Sequence, residues 1–200
     1  TQPESSAASD VYKRQVKLSA DCEVSLLTIG PGHALNDAFG HSAIRIRDTA
    51  QNIDLVFDYG RYDFEAEGFY YNFIKGKLDY EIGWAYYKPF VARYKSQKRR
   101  VTAQIINLSK AEKQRLFQRL QTAIKPQNKT YSYDFLYNNC ATKIKDDLVA
   151  IVNDSIQFLH YENYRAMTFR ELIRSHIPQN SWGGFGIDLA LGSKIDQLVR

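Results

Sequence analysis

The feature that most constrains the fold is a pair of strand-like segments separated by a short polar turn. From His41 to Arg47 the side chains alternate so that both isoleucines fall on one side, which is the period of a half-buried strand. Residues 48–52 supply turn-forming side chains, and Ile53 to Tyr59 has the composition of a second strand. The sequence therefore predicts an antiparallel hairpin, in which position 41 lies opposite position 58 or 59.

Further segments extend this pattern into a mixed fold. Three of them predict strands: Val16 to Leu27, Leu78 to Tyr87 and Arg99 to Leu108. Three others predict helices, at the capping box formed by Ser109 and Glu112, at Cys140 after a cap from Asn138 or Asn139, and at the box from Thr168 to Glu171. We expect an α+β fold, with an antiparallel sheet packed on the helix that carries the cysteine.

Two glycine- and aromatic-rich stretches have a weaker pattern. Gly60 to Gly76 is rich in tyrosine and phenylalanine, and is interpreted as a short helix followed by a loop. Near the C-terminus, the glycines from Trp182 to Gly186 predict a turn that leads into Ile187 to Leu191.

The length of 200 residues suits one domain with its own core. We interpret residues 16–200 as a single catalytic domain, with truncation at the C-terminus left open. Residues 1–15 are interpreted as non-native or disordered, because that segment is polar and shows no element pattern. The net charge is +5, with a denser run at residues 95–100. That run fits solvent or anionic headgroups at a membrane surface; without aromatic and basic spacing it does not indicate nucleic-acid binding.

The cysteines exclude two classes of small protein. Cys22 and Cys140 form no Cys-x-x-Cys pair and have no clustered histidines nearby, so neither a disulfide scaffold nor a structural zinc site is expected. A single bridge between them stays open at this point. No metal and no cofactor is predicted, and Cys22 is interpreted as structural. No run of about 18 apolar residues occurs, so no spanning helix is expected.

Cys140 is the candidate nucleophile. A thiol in the first turn of a helix has its thiolate favoured by the helix dipole and by unpaired N–H groups, although a free cysteine can equally be a small buried hydrophobe. His41, at the start of a predicted strand between Gly40 and Ser42, is the candidate base. His33 is a rival in sequence, but it lies in a predicted loop.

Asp58 is the candidate for orienting the histidine. It lies on the strand predicted to pair with that of His41, where its carboxylate could accept the imidazole N–H. Asp54 is the competing choice, further from the expected pairing, and an ordinary strand-end aspartate is the alternative for both.

Four blocks of sequence together resemble the N-terminal periplasmic domain of Lnb-type lipoprotein N-acyltransferases. They are Gly30-Pro31-Gly32 with Phe39-Gly40-His41-Ser42, Phe57-Asp58-Tyr59-Gly60 with Asp63-Phe64, Gly76-Lys77-Leu78-Asp79-Tyr80, and Tyr133-Asp134-Phe135 with Asn139-Cys140-Ala141-Thr142. The resemblance implies a circularly permuted papain-like (NlpC-type) fold with histidine before cysteine. The family motif often has Asn where this sequence has Asp58; either side chain can accept the imidazole N–H.

The resemblance also implies an activity and a location. Cys140 would take an acyl chain from an ester donor, a lipoprotein or phospholipid, and pass it through a thioester to a lipoprotein N-terminal amine at the periplasmic face of the inner membrane. The backbone N–H of Cys140 would help to hold the oxyanion. Further candidates for oxyanion or substrate binding are Tyr133, Tyr137, Asn139 and Tyr59.

Two other functions remain open from the sequence. The same thiol and imidazole could hydrolyse amides in peptidoglycan peptides, as NlpC-type enzymes do. The domain could also be a non-catalytic binding module of the cell envelope, which a separation of Cys140 and His41 beyond about 6 Å would favour.

Overall fold

The computed structural model describes residues 16–34, 37–62, 79–152, 156, 165–178 and 180–199. Within these residues, six strands form one antiparallel sheet of order β5-β1-β2-β3-β4-β6. The strands are β1 (Glu23–Ile29), β2 (His41–Asp48), β3 (Ile53–Arg61), β4 (Asp79–Tyr86), β5 (Val101–Ile105) and β6 (Thr130–Ser132). The expected α+β class and antiparallel sheet are confirmed.

Five α-helices accompany the sheet in the described part of the chain. They are α1 (Tyr87–Ser96), α2 (Lys110–Ala123), α3 (Cys140–Val152), α4 (Phe169–His176) and α5 (Trp182–Leu191), and a 3₁₀ helix covers Gly192–Asp196. The capping boxes predicted at Ser109 and Thr168 both form at the starts of α2 and α4. The predicted helix after Cys140 is also confirmed.

The sheet is covered on both faces, and β3 shows this most clearly. Leu55 and Phe57 pack into a large core with the apolar faces of α2 and α3, whereas Val56 packs with Phe90 and Tyr94 of α1. Successive side chains of a strand point to opposite faces, so α1 lies on one side of the sheet and α2 with α3 on the other. This explains why Leu55 to Tyr59 is buried without interruption.

Helix α1 is absent from the predictions made from the sequence. Its first turn contains Pro89, and only Phe90 and Tyr94 are buried. Proline is tolerated in the first turn of a helix, and two apolar positions four residues apart give too short a pattern to predict one. The strand predicted from Leu78 to Tyr87 therefore ends at Tyr86.

Several predicted bounds differ from the structure. The first strand begins at Glu23 instead of Val16, and the strand predicted from Arg99 to Leu108 is confined to Val101–Ile105. The interpretation of Gly60 to Gly76 lies mostly outside the described residues, since residues 63–78 are not described.

The turn predicted from Trp182 to Gly186 is wrong, because this segment is the first half of α5. The Ser181 hydroxyl accepts a hydrogen bond from the Gly184 N–H at 3.0 Å and caps the helix. Ser181 therefore starts a helix despite the glycines, and α5 leaves Trp182, Phe185 and Leu189 exposed at positions i, i+3 and i+7. No helix in the described ranges is both long enough and apolar enough to cross a membrane.

Gly40 fixes the entry into β2, directly before the candidate base. Its φ is +73°, and a Cβ there would lie 2.6 Å from the carbonyl oxygen of Ile29. Because β1 and β2 pair at Ile29 and His41, any larger residue would push the two strands apart. Glycine at position 40 therefore sets where the His41 backbone lies.

Candidate functional site

Three chain segments meet at one end of the sheet to form the candidate site. His41 is the first residue of β2, Asp58 lies near the end of β3, and Cys140 is the first residue of α3. Asn139 caps α3, since its Oδ1 accepts hydrogen bonds from the N–H groups of Ala141 and Thr142 at 2.9 and 3.1 Å. The predicted position of the thiol at a capped helix N-terminus is therefore what the structure shows.

The imidazole of His41 contacts both other members of the predicted triad. Its Nε2 lies 3.1 Å from Oδ2 of Asp58, and the ring also hydrogen-bonds the thiol of Cys140. Because Nε2 is engaged by the carboxylate, Nδ1 is the ring nitrogen available to the sulfur. The two side chains are therefore not separated by more than about 6 Å, the distance that would have favoured a non-catalytic module.

Position 41 was expected opposite position 58 or 59, and that register is wrong by one or two residues. Asp58 pairs with Ala43, so the carboxylate reaches His41 as a diagonal neighbour on the same side of the hairpin. The competing candidate, Asp54, is occupied elsewhere, because it accepts two hydrogen bonds from Arg45 at 2.7 and 3.0 Å. His33 is exposed.

Arg61 joins the triad and was not predicted. Its Nε donates to Oδ1 of Asp58 at 2.9 Å, and its Nη2 contacts the same oxygen. Residues three apart on a regular strand point to opposite faces, but the register between β3 and β4 shifts between Asp58 and Arg61. Asp58 pairs with Gly83 and Arg61 with Glu81, so three steps along β3 match two along β4 and both side chains face one way.

The electrostatics of the site favour an ion pair between His41 and Cys140. Burial opposes the charge on His41, but hydrogen bonds to Asp58 and Cys140 outweigh it and raise the pKa of His41 to about 9. Burial likewise opposes the thiolate, yet the hydrogen bond and charge of His41 lower the pKa of Cys140 below its usual value, with the backbone of Ser42 and Ala141 contributing. Both shifts favour the thiolate paired with an imidazolium over the two neutral groups.

Asp58 stays ionised despite its burial. Burial would raise the pKa of Asp58, but the hydrogen bond from His41 and the charge of Arg61 outweigh it and lower that pKa. A buried carboxylate with partners on both oxygens is held in a fixed orientation. It can therefore hold the imidazole in place and stabilise its protonated form.

Two tyrosines lie close enough to Cys140 for its charge to affect them. Burial and then the charge of Cys140 raise the pKa of both Tyr131 and Tyr133. Tyr133 was among the predicted candidates and stacks on Tyr80 with ring centroids 4.1 Å apart. Tyr131 was missed; its buried hydroxyl is close to the Gly60 backbone N–H, but its own proton has no acceptor among the described residues, so it is a donor available to a ligand.

The other three oxyanion or substrate candidates are committed elsewhere. The Tyr59 hydroxyl donates to Oδ2 of Asp147 at 2.6 Å, and Asn139 is used as the helix cap. Tyr137 is exposed and packs its ring on Phe169.

Cys22 is a buried free thiol, and so does not form a disulfide with Cys140. Burial, with a contribution from Asp48, raises the pKa of the Cys22 thiol to about 11. A thiol of this kind is inert at neutral pH. Across the described ranges, no group of three or more His, Cys, Asp or Glu side chains could hold a metal ion.

The basic run at residues 95–100 is not uniformly solvated. Arg99 is buried, donating from Nη1 to Asp37 at 2.7 Å and from Nε to the Gly30 carbonyl at 2.9 Å. It also lies over the ring of Tyr94, which in turn lies 6.4 Å from the His41 ring, measured between centroids. Arg99 therefore anchors the loop before β2 instead of facing headgroups.

Replacement of Gly83 by Ala tests the contribution of Arg61. A Cβ at position 83 would overlap the Arg61 guanidinium, which is a half-exposed and movable group. We expect Arg61 to leave Asp58 and the reactivity of Cys140 towards iodoacetamide at neutral pH to fall about tenfold, with the melting temperature little changed. Gly186→Ala is the matched control, because no atom lies within 4 Å of its added Cβ. Equal reactivity of the two variants would contradict a role for Arg61.

A family model described as the Lnb N-terminal periplasmic domain matches residues 8–175. The chain belongs to this family. The match covers most of the chain and all three members of the triad, and it places this Lnb N-terminal domain in the periplasm. No curated protein and no solved structure matches the chain.

Proposed function

We propose that this Lnb N-terminal domain is a cysteine-dependent acyltransferase with a permuted papain-like catalytic arrangement. The observation that carries the proposal is the hydrogen-bonded series from Cys140 through His41 to Asp58, at the N-terminus of α3. The order of the three residues along the chain, histidine before cysteine, agrees with that arrangement. A nucleophile, a base within hydrogen-bond reach and a group that orients the base are what covalent catalysis requires.

In the first half-reaction, the Cys140 thiolate attacks the carbonyl carbon of an ester-linked acyl chain. The oxygen of the tetrahedral intermediate carries the negative charge, and the Cys140 backbone N–H is the donor proposed to hold it. Collapse of the intermediate forms the thioester and breaks the C–O bond. The protonated His41 gives its proton to the departing alkoxide, which leaves as a lyso-lipid.

In the second half-reaction, the N-terminal amine of a lipoprotein attacks the thioester carbonyl. His41, now neutral, takes the proton of the amine, the C–N bond forms, and the C–S bond breaks to regenerate the thiolate. Asp58 stays ionised throughout and favours the protonated imidazole in both steps. The products are an N-acylated lipoprotein and a free enzyme.

The direct test follows both products by mass spectrometry. The purified domain is incubated with phospholipid vesicles carrying heavy-isotope acyl chains and with a diacylglyceryl lipopeptide whose N-terminal amine is free. We expect a heavy acyl adduct on the peptide containing Cys140, a lyso-lipid, and an N-acylated lipopeptide. A lipopeptide with an acetylated N-terminus is the control and should not be modified.

Other outcomes would replace the proposal. Free fatty acid as the only new product would indicate a hydrolase. Cleavage of muropeptides without any lipid product would indicate an amidase of the NlpC type. Absence of any adduct on Cys140 would indicate a binding module.

A further inference from the structure

A pocket of about 570 Å³ lies between α2, α3 and the edge of the sheet that carries β4 and β6. Its basic lining residues are Arg115, Arg119, Lys129 and Lys143. Asp147 is the single acidic residue among the lining residues. None of these side chains is used in the acyl-transfer steps described above.

The basic side chains come from different walls of the pocket. Arg115 and Arg119 are one turn apart on α2, Lys143 is on α3, and Lys129 precedes β6. Lys143 lies over the rings of Tyr59 and Tyr131, at 5.5 and 5.2 Å from their centroids, and no carboxylate among the described residues is within ion-pair distance of it. Arg115 donates from Nη2 to the carbonyl of Ile151 at 2.6 Å.

The acidic groups nearby are already neutralised. Asp147 accepts from the Tyr59 hydroxyl and from Nε of Arg119, and Glu81 pairs with Lys129 at 2.7 Å. Four cations therefore face two carboxylates, so the pocket keeps an excess of positive charge. Charges held in a concave, partly dry site attract an anion more strongly than the same charges on an open surface.

The pocket also contains a hydrogen-bond donor without an acceptor. Tyr131 lines it, and the proton of its buried hydroxyl has no acceptor among the described residues. A buried polar group left unpaired costs free energy, and a bound ligand would recover that cost. The position of this hydroxyl near Cys140 connects the pocket to the thiol.

The distance between pocket and thiol can be read along α3. Cys140, Lys143 and Asp147 are three and four residues apart, so they lie along one face of the helix. At about 1.5 Å of rise per residue, Lys143 lies about 5 Å beyond Cys140 along the axis and Asp147 about 10 Å beyond it. In a glycerophospholipid the phosphate and the ester carbonyl are separated by a few bonds, which fits this spacing.

We propose that this pocket binds a phosphate group. Guanidinium and ammonium donors from different elements match an anion that presents several oxygens, more than a single carboxylate does. Assignment of that phosphate to the headgroup of the acyl donor rests on the proposed function, whereas binding of inorganic phosphate does not.

The experiment measures the melting temperature of the Cys140→Ala protein, which lacks the nucleophile and so separates binding from catalysis. Inorganic phosphate is added at constant ionic strength with chloride as the reference, and a soluble short-chain phosphatidylglycerol forms a second arm. We expect both ligands to raise the melting temperature by about 3 °C at saturation. The two arms separate a lipid headgroup from a free ion.

Matched variants decide whether the pocket is responsible. Lys143→Gln and Arg115→Gln should each remove most of the shift, whereas Lys110→Gln, which loses the same charge from the exposed start of α2, should keep it. A shift with phosphate alone would support a free-ion site and exclude the headgroup. No shift with either ligand, or an equal shift in Lys143→Gln and Lys110→Gln, would overturn the proposal. Neither outcome would bear on thioester formation at Cys140, which the mass-spectrometric experiment tests separately.

Discussion

At neutral pH, iodoacetamide should modify Cys140 and leave Cys22 untouched in the same protein. The reason is the opposite direction of the two pKa shifts, since His41 lowers the pKa of Cys140 while burial raises that of Cys22 to about 11. In His41→Ala only burial remains as the dominant influence on Cys140, so its pKa rises above the usual value. Each unit of that rise lowers the thiolate fraction tenfold, and we expect a loss of about a hundredfold or more in rate at pH 7.

The measurement is the alkylation rate of each cysteine between pH 5 and 10, followed by peptide mapping. In the wild type, the rate for Cys140 should reach its plateau at a lower pH than the rate of a free thiol does, because His41 lowers the pKa of Cys140. In His41→Ala the rate should keep rising into the alkaline range. Cys140→Ser should give no modification, and Cys22→Ala should react like the wild type. Identical pH profiles for wild type and His41→Ala would show that His41 does not activate the Cys140 thiol.

Asp58→Ala should lower the rate of acyl transfer by about a hundredfold to ten-thousandfold, because the imidazole loses both its orientation and the charge that stabilises its protonated form. Asp58→Asn should lose only about tenfold, since an amide oxygen can still accept the Nε2–H. In both variants the pKa of His41 falls from about 9, because the hydrogen bond from the Asp58 carboxylate is one of the causes that raise it.

The pH profile distinguishes this role from a structural one. Acyl transfer by the wild type should decline on the alkaline side near pH 9, where His41 loses the proton that the leaving alkoxide needs. In Asp58→Asn that decline should move to lower pH, with the acidic limb still set by Cys140. If the alkaline limb of Asp58→Asn stays near pH 9 and the loss of activity matches the fraction of unfolded protein, Asp58 acts only on stability. Asp54→Asn is the matched control, because Asp54 lies on the same strand as Asp58 and pairs instead with Arg45 of β2.

The elements with strong local signals could be predicted from the sequence, together with the residues that they carry. The alternation from His41 to Arg47 predicted β2, and the boxes at Ser109 and Thr168 predicted two helix starts. A cap from Asn138 or Asn139 before an apolar helical face predicted the position of Cys140. These signals are local, because a strand period or a cap depends on residues only a few positions apart.

The rest depends on contacts between distant segments, which local patterns do not contain. The hydroxyl of Tyr131 lies near Cys140 only because β6 pairs with β4 at the edge of the sheet. The glycines of α5 predicted a turn, but a single cap at Ser181 started a helix. The register at Asp58 depends on the length of the turn between β2 and β3, and the turn-forming residues indicate that length only approximately.

The register shift in β3, where three steps along β3 match two along β4, limits how this triad could be moved into another protein. Gly60 has φ +90° within the irregular stretch between Asp58 and Arg61, and this stretch turns the guanidinium to the same side as the carboxylate. A regular hairpin carrying the same side chains in the same order would send Arg61 to the opposite face of the sheet. A graft would therefore have to copy the irregular backbone as well as the residues, and sequence searches for such sites should allow a one-residue gap there.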